Sequence, residues 1–73
     1  MSDEDAVRAV LEPGRDNVVF RVEADLVWVS GVNHHPPVQA RSMKEELDDA
    51  GYETFEVIES PGRFGGARFG WSE

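Results

Sequence analysis

Two short stretches of this 73-residue sequence hold the residue types that could do chemistry or bind a ligand. The first is NHHPP at residues 33–37, which contains both imidazoles of the chain. The second is the C-terminal run GRFGGARFGWSE, in which arginines alternate with aromatic residues. Neither stretch has a nucleophile elbow, a phosphate-binding glycine loop or a cysteine. The sequence therefore indicates candidate surfaces, but no catalytic residue, and it favours a protein that is not an enzyme.

The histidine stretch has four interpretations. Metal binding would need histidines two, three or four residues apart, whereas His34 and His35 are adjacent and point to opposite sides of an extended chain. One histidine could instead act as a general acid or base. Alternatively, Asn33, His34, His35 and Arg41 could surround an anion bound by the unpaired amides of residues 38–40 at the start of the following helix. The pattern favours the fourth interpretation, a loop whose polar side chains bond the backbone. We therefore predict no metal and no cofactor.

The C-terminal run has two interpretations. Arginines and aromatic rings on a glycine-rich strand can bind phosphates and stack bases, as proteins that bind RNA or single-stranded DNA do. The candidates for that surface, or for a protein interface, are Arg63, Phe64, Arg68, Phe69 and Trp71. Two arginines make a much smaller footprint than an ordinary basic patch. The pattern therefore favours a structural strand, with the last two aromatics in the core or a dimer interface and the arginines paired with glutamates.

The charge balance is the most informative property of the whole chain. Fifteen Asp and Glu stand against seven basic residues, of which only Lys44 is a lysine, so the formal charge is −8. This composition resembles the proteomes of salt-accumulating haloarchaea, and it predicts an archaeal, halophilic protein. At molar salt the Debye length is about 3 Å, so the net charge then says little about partners. Without cysteines or an apolar run of ten residues, the chain is predicted to be cytoplasmic with no membrane partner.

Short helices and strands must position these candidates. The apolar spacing at residues 6, 7, 10 and 11 predicts a helix over Asp3 to Leu11, which Pro13-Gly14 ends. NVVFRVEADLVWVSGV predicts two strands, near residues 18–22 and 26–29, joined by a tight turn. Because the second strand is apolar on both faces, we expect it inside the sheet, covered by a helix on one side and by another helix or subunit on the other.

The second half of the chain predicts a longer helix and two more strands. Pro37 suits a helix start, residues 40, 43, 47 and 50 share an apolar face, and Gly51 supplies the left-handed end. A third strand follows at residues 54–58, parallel to the second through a right-handed crossover. Ser60-Pro61-Gly62 predicts a turn into a last strand at residues 67–71, antiparallel to the third and at the sheet edge. Gly65-Gly66 would mark a bulge or a close backbone approach.

These elements predict one α+β domain over residues 1–73, in the order α-β-β-α-β-β. The sheet is expected to be mixed and three- or four-stranded, with the main helix on one face. Val19 and Ile58 would remain on the uncovered face, which predicts a homodimer or another protein partner. The first functional hypothesis is a small non-enzymatic binding or regulatory module. The alternative is RNA or single-stranded DNA binding through the C-terminal strand, and the third is a small enzyme or anion site using His34 or His35.

Overall fold

The computed structural model describes residues 3–60 and 66–73 of the chain. The α+β class and the approximate order of the elements are confirmed. The elements are α1 (Asp3–Leu11), β1 (Phe20–Glu23), β2 (Leu26–Val29), α2 (Pro36–Asp49), β3 (Glu53–Thr54), β4 (Ile58–Ser60) and β5 (Gly66–Ser72). The predicted third strand is interrupted, because residues 55–57 separate β3 from β4. Neither of these two helices is long and apolar enough to cross a membrane.

The strand β5 is the centre of the sheet. It pairs with β2 along one edge and with both β3 and β4 along the other, while β1 forms a hairpin with β2. The described strands form a five-stranded sheet in which every pairing is antiparallel, so the prediction of a mixed sheet of three or four strands is wrong. The prediction of an edge position for the last strand is also wrong. β2 and β4 do run in the same direction, but β5 lies between them and separates the pair.

Both helices pack on the same face of the sheet. α2 contacts β5, β2 and β3, and α1 contacts α2 and β1. The side chains that face the helices form one apolar core, to which α1 and α2 contribute Val7, Leu11, Ala40, Met43 and Leu47, and the sheet contributes Val22, Val27, Val29, Ala67, Phe69 and Trp71. The expected cover on the second face of β2 is not a helix, because the two described helices both lie on the first. Within residues 3–60 and 66–73, one sheet face therefore carries no helix.

Arg15 joins the two helices. Its Nη1 donates to the carbonyl oxygen of Leu11 at 2.8 Å and to Oε2 of Glu46 at 2.5 Å, and its Nη2 donates to Oγ of Ser42 at 3.1 Å. The first of these bonds caps a carbonyl at the end of α1, and the other two reach α2. A nine-residue helix would be marginal alone. Docking on β1 and α2, with this clamp, explains why α1 forms at its predicted bounds.

Candidate functional site

The sheet face opposite the helices presents a row of four directly opposed side chains. Arg21 on β1 stands opposite Trp28 on β2, Trp28 stands opposite Arg68 on β5, and Arg68 stands opposite Ile58 on β4. Opposed residues of antiparallel strands share a face, so one row crosses the whole sheet. We call this surface the open face and define it by these four residues. Val27 and Val29, on either side of Trp28 in the chain, point into the core. Because side chains alternate along a strand, Trp28 points outward.

Trp28 lies between two guanidinium groups. The Cζ atom of Arg68 lies 5.1 Å from the centroid of its ring, and the Cζ atom of Arg21 lies 5.6 Å from it. Both distances are within the range of cation–π attraction. The indole Nε1 of Trp28 is buried and has no hydrogen-bond acceptor among the described residues. The centre of the row therefore places two positive charges over one indole ring, whose N–H has no acceptor among the described residues.

A concavity lies beside this row. It has a volume of about 320 Å³, and its lining includes Val19, Arg21, Trp28, Ser30 and Gly66. The volume is at the lower end of the range for small-molecule sites. Gly66 keeps the strands close here, because a Cβ at this position would lie 2.3 Å from the carbonyl oxygen of Val29. This contact agrees with the predicted close backbone approach at the glycine pair, of which Gly65 lies outside the described residues.

Phe55 covers the other end of the open face. Its backbone N–H donates to the carbonyl oxygen of Gly70 at 3.0 Å, and a Cβ on Gly70 would lie 3.0 Å from the ring atom Cδ2. The missing side chain at Gly70 therefore makes room for the ring. Phe55 and Ile58 are each about half exposed, and Val19 is similarly exposed at the opposite end. Apolar side chains thus flank the charged row at both ends.

The charge of the open face is opposite to that of the chain. Arg21 and Arg68 contribute two positive charges, and Glu23 partly offsets the first through an exposed ion pair of 3.4 Å. The chain as a whole carries a formal charge of −8. Exposed pairs contribute little, and Arg21 is 63% exposed, so its guanidinium stays available to a ligand. The open face is therefore a small basic and aromatic surface on an acidic protein.

The structure separates the predicted C-terminal surface into parts. Phe69 and Trp71 are 1% and 5% exposed and point into the core, so they are not available to a ligand. Arg68 points to the opposite face of the sheet, where its guanidinium lies over the ring of Trp28. The sequence predicted a glutamate partner for this arginine. Arg63 and Phe64 lie outside the described residues. Of the five candidates, Arg68 alone is placed on the open face by the described part of the chain.

Asn33 has a structural position in the histidine stretch. Its Nδ2 donates to the carbonyl oxygens of Val19 at 2.7 Å and Ser30 at 2.9 Å, and its Oδ1 accepts the backbone N–H of Val19 at 2.8 Å. One side-chain amide thus bonds both backbone groups of Val19, as a neighbouring strand would. This bonding fixes the chain between β2 and α2 to the start of β1. The side-chain polar atoms of Asn33 therefore bond the backbone and are not directed at a ligand.

The start of α2 lacks the free amides expected for an anion site. Pro36 and Pro37 have no N–H, and the amides of Val38 and Gln39 both donate to the carbonyl oxygen of His35, at 3.0 and 3.1 Å. The prediction that amides 38 and 39 are unpaired is therefore wrong. His34, His35 and Arg41 are exposed. Within residues 3–60 and 66–73, no three His, Cys, Asp or Glu side chains are grouped to hold a metal ion.

Sequence reasoning missed Arg21 and Trp28 as members of a surface. The signal was present, because Arg21 alternates with the inward Val22 and Trp28 alternates with Val27 and Val29. Their meeting depends on the hairpin register, and the meeting of Trp28 with Arg68 depends on a pairing between residues 40 positions apart. Comparison with known proteins adds no further residue. No protein-family model matches the chain, and neither a curated protein nor a solved structure matches it.

Proposed function

We propose that this protein is a small non-enzymatic binding module that binds single-stranded nucleic acid through its open face. One observation carries the proposal: Trp28 lies between the guanidinium groups of Arg21 and Arg68, on the sheet face that neither described helix covers. Bases of single strands stack on aromatic rings and on guanidinium planes, and arginine also bonds phosphate. The row supplies both kinds of contact on one rigid surface.

The geometry favours a base over a simple anion. Arg21 lies on the edge strand β1 and is well exposed, so a planar base can continue the stack from its outer side. The adjoining concavity and the half-exposed Val19 provide an apolar wall for the same base. Each stacked base contributes about 1–3 kcal/mol to binding, which is a factor of roughly 5 to 150 in Kd. Two bases on this face would give weak but measurable affinity.

A homodimer through the same face is the second candidate, and the exposed Val19, Phe55 and Ile58 favour it. Two quantities weaken it. Four strands spaced about 4.8 Å apart and four residues of about 3.3 Å give a plan area of roughly 250 Å², whereas a stable interface buries about 800 Å² per partner. A twofold partner would also bring Arg21 and Arg68 of two copies onto a common surface, where like charges repel.

The direct test is an amide NMR titration with eight-nucleotide oligouridylate and oligothymidylate in 1 M KCl. We expect the indole N–H of Trp28 and the amides of Arg21 and Arg68 to shift with a saturable dependence on oligonucleotide. The amide chemical shifts of α2 and of the histidine stretch should not change. The two oligonucleotides distinguish RNA from DNA, because only the first carries the 2′-hydroxyl.

Two variants and one control complete the test. Arg68→Gln and Trp28→Leu should each weaken binding at least fivefold, whereas Arg41→Gln, which removes an exposed arginine on α2, should leave Kd unchanged. Circular dichroism checks that all three remain folded. The proposal is wrong if neither oligonucleotide shifts the open face, or if Arg41→Gln lowers the affinity as much as Arg68→Gln does. Sedimentation equilibrium that gives a dimer broken by Trp28→Leu would favour the second candidate.

A further inference from the structure

We infer that salt activates this binding, so that the affinity for a single-stranded oligonucleotide rises with KCl concentration instead of falling. The inference rests on the proposed function of the open face and concerns its regulation by ionic strength. Ordinary nucleic-acid-binding proteins behave in the opposite way, because counterions released from the phosphates favour binding at low salt. In this chain, we expect the repulsion between the acidic protein and the phosphates to outweigh the attraction of the two arginines at low salt.

Attraction at the open face is small and local. Arg21 and Arg68 are the two guanidinium groups of the row, and Glu23 offsets part of the first. For single strands the logarithm of the binding constant falls by about 0.7 per neutralised phosphate for each tenfold rise in salt. Two contacts therefore cost at most about a 25-fold loss of affinity per tenfold rise in KCl.

Repulsion from the rest of the protein is larger and has a longer range. The whole chain has a net charge of −8 and principal dimensions of 33 × 24 × 19 Å. At 0.01 M salt the Debye length is about 30 Å, so an oligonucleotide on the open face senses the full negative charge. At 1 M the length is about 3 Å, and only groups in contact act. Raising the salt therefore removes the repulsion from many charges and the attraction to only two.

Exposed carboxylates on the helical layer provide a way to test this mechanism. Glu45 and Asp49 lie on α2, on the side of the sheet opposite the open face, and both are exposed. Glu45→Lys combined with Asp49→Lys changes the net charge by four, from −8 to −4. The matched control is Glu45→Asp combined with Asp49→Glu, which exchanges the same positions at constant charge. Neither pair alters a residue of the open face.

The experiment measures Kd for oligouridylate by Trp fluorescence from 0.02 to 1 M KCl, over the range in which circular dichroism shows a folded protein. We expect the affinity of the natural protein to rise with KCl across this range, instead of falling by the roughly 240-fold that two phosphate contacts alone would give over a 50-fold rise in salt. The double lysine variant should bind at least threefold more tightly than the control at the lowest salt. The two variants should bind equally at 1 M.

The outcomes separate the inference from the function on which it rests. Binding that weakens with salt at a slope near −1.4 overturns salt activation and leaves the open face as a nucleic-acid site. A rise with salt that is identical in the lysine variant and its control also overturns the inference, because the body charge would then not be the cause. No binding at any salt overturns both the inference and the proposed function.

Discussion

Replacement of Arg15 by Met should destabilise the protein more than any change at an exposed charge. The Arg15 side chain is 8% exposed, and it joins the end of α1 to α2 through Leu11, Ser42 and Glu46. Methionine preserves much of the apolar stem, so the substitution isolates the guanidinium. It leaves three acceptors without their donor.

The loss of unfolding free energy depends on whether each former acceptor of Arg15 can form a replacement hydrogen bond with water. Leu11 is fully buried, so its carbonyl loses a bond that water cannot replace, at about 1–3 kcal/mol. Glu46 is 42% exposed and regains much of its hydration, so the loss of its ion pair adds roughly 1 kcal/mol. Ser42 is exposed and adds little. The total of about 2–4 kcal/mol is a large part of the roughly 4–11 kcal/mol expected for a domain of this size.

Thermal and chemical unfolding followed by circular dichroism will measure this loss. We expect Arg15→Met to lower Tm by roughly 10–25 °C, and Arg41→Met, an exposed arginine on the same helix layer, to change stability by less than about 0.5 kcal/mol. A double-mutant cycle with Glu46→Gln should give a coupling near 1 kcal/mol that persists in molar KCl, since the guanidinium is shielded. Equal effects of Arg15→Met and Arg41→Met would refute the reasoning.

Three further substitutions test particular contacts of the fold. Gly66→Ala should cost about 1–3 kcal/mol in chemical unfolding, because its Cβ would meet the carbonyl oxygen of Val29 at 2.3 Å; unchanged stability would contradict this close approach. Ala24→Gly should leave the protein as stable or raise its unfolding free energy by up to about 1 kcal/mol, because Ala24 has a left-handed φ of 47°; a clear loss of stability in urea would count against strain in this turn. Thr54→Val should raise the pKa of Asp48 in an NMR titration, because Oγ1 of Thr54 donates to Oδ1 of Asp48 at 2.5 Å and is the main cause that holds this pKa below its usual 3.8. The folded pKa is the lowered one, so the stabilising effect is present above pH 3.8 and is lost as the pH falls through the folded pKa; an unchanged Asp48 titration in Thr54→Val would contradict the assignment.

The open face also explains how β2, a strand with two apolar faces, can have a described helix on one face only. The run LVWV predicts cover on both sides, and the helices cover Val27 and Val29. On the other side, Arg21 and Arg68 flank the ring of Trp28 and leave it only partly exposed. Long arginine side chains bury apolar surface while their charged ends stay in water. A strand with two apolar faces therefore need not indicate two packed layers.

Local signals in the sequence determined the helices and the inward side of each strand. Apolar spacing and Pro13-Gly14 fixed α1 at its observed bounds, and Gly51, with a φ of 96°, ends α2 where predicted. Alternation separated Ala67, Phe69 and Trp71 from Arg68 and Gly70. These features depend on the conformational preferences of neighbouring residues, so a short stretch of chain contains the information.

Only the tertiary structure decided the place of β5 and, with it, the candidate site. Alternation gives a strand two faces and two edges, but it does not specify which partners pair at each edge. β5 inserts between β2 and the broken β3–β4 edge, which makes the sheet antiparallel and places Arg68 against Trp28. Such pairing joins residues far apart in sequence. It is stabilised by the burial of apolar side chains between the helices and one face of the sheet. The row of Arg21, Trp28 and Arg68 is a consequence of that global packing.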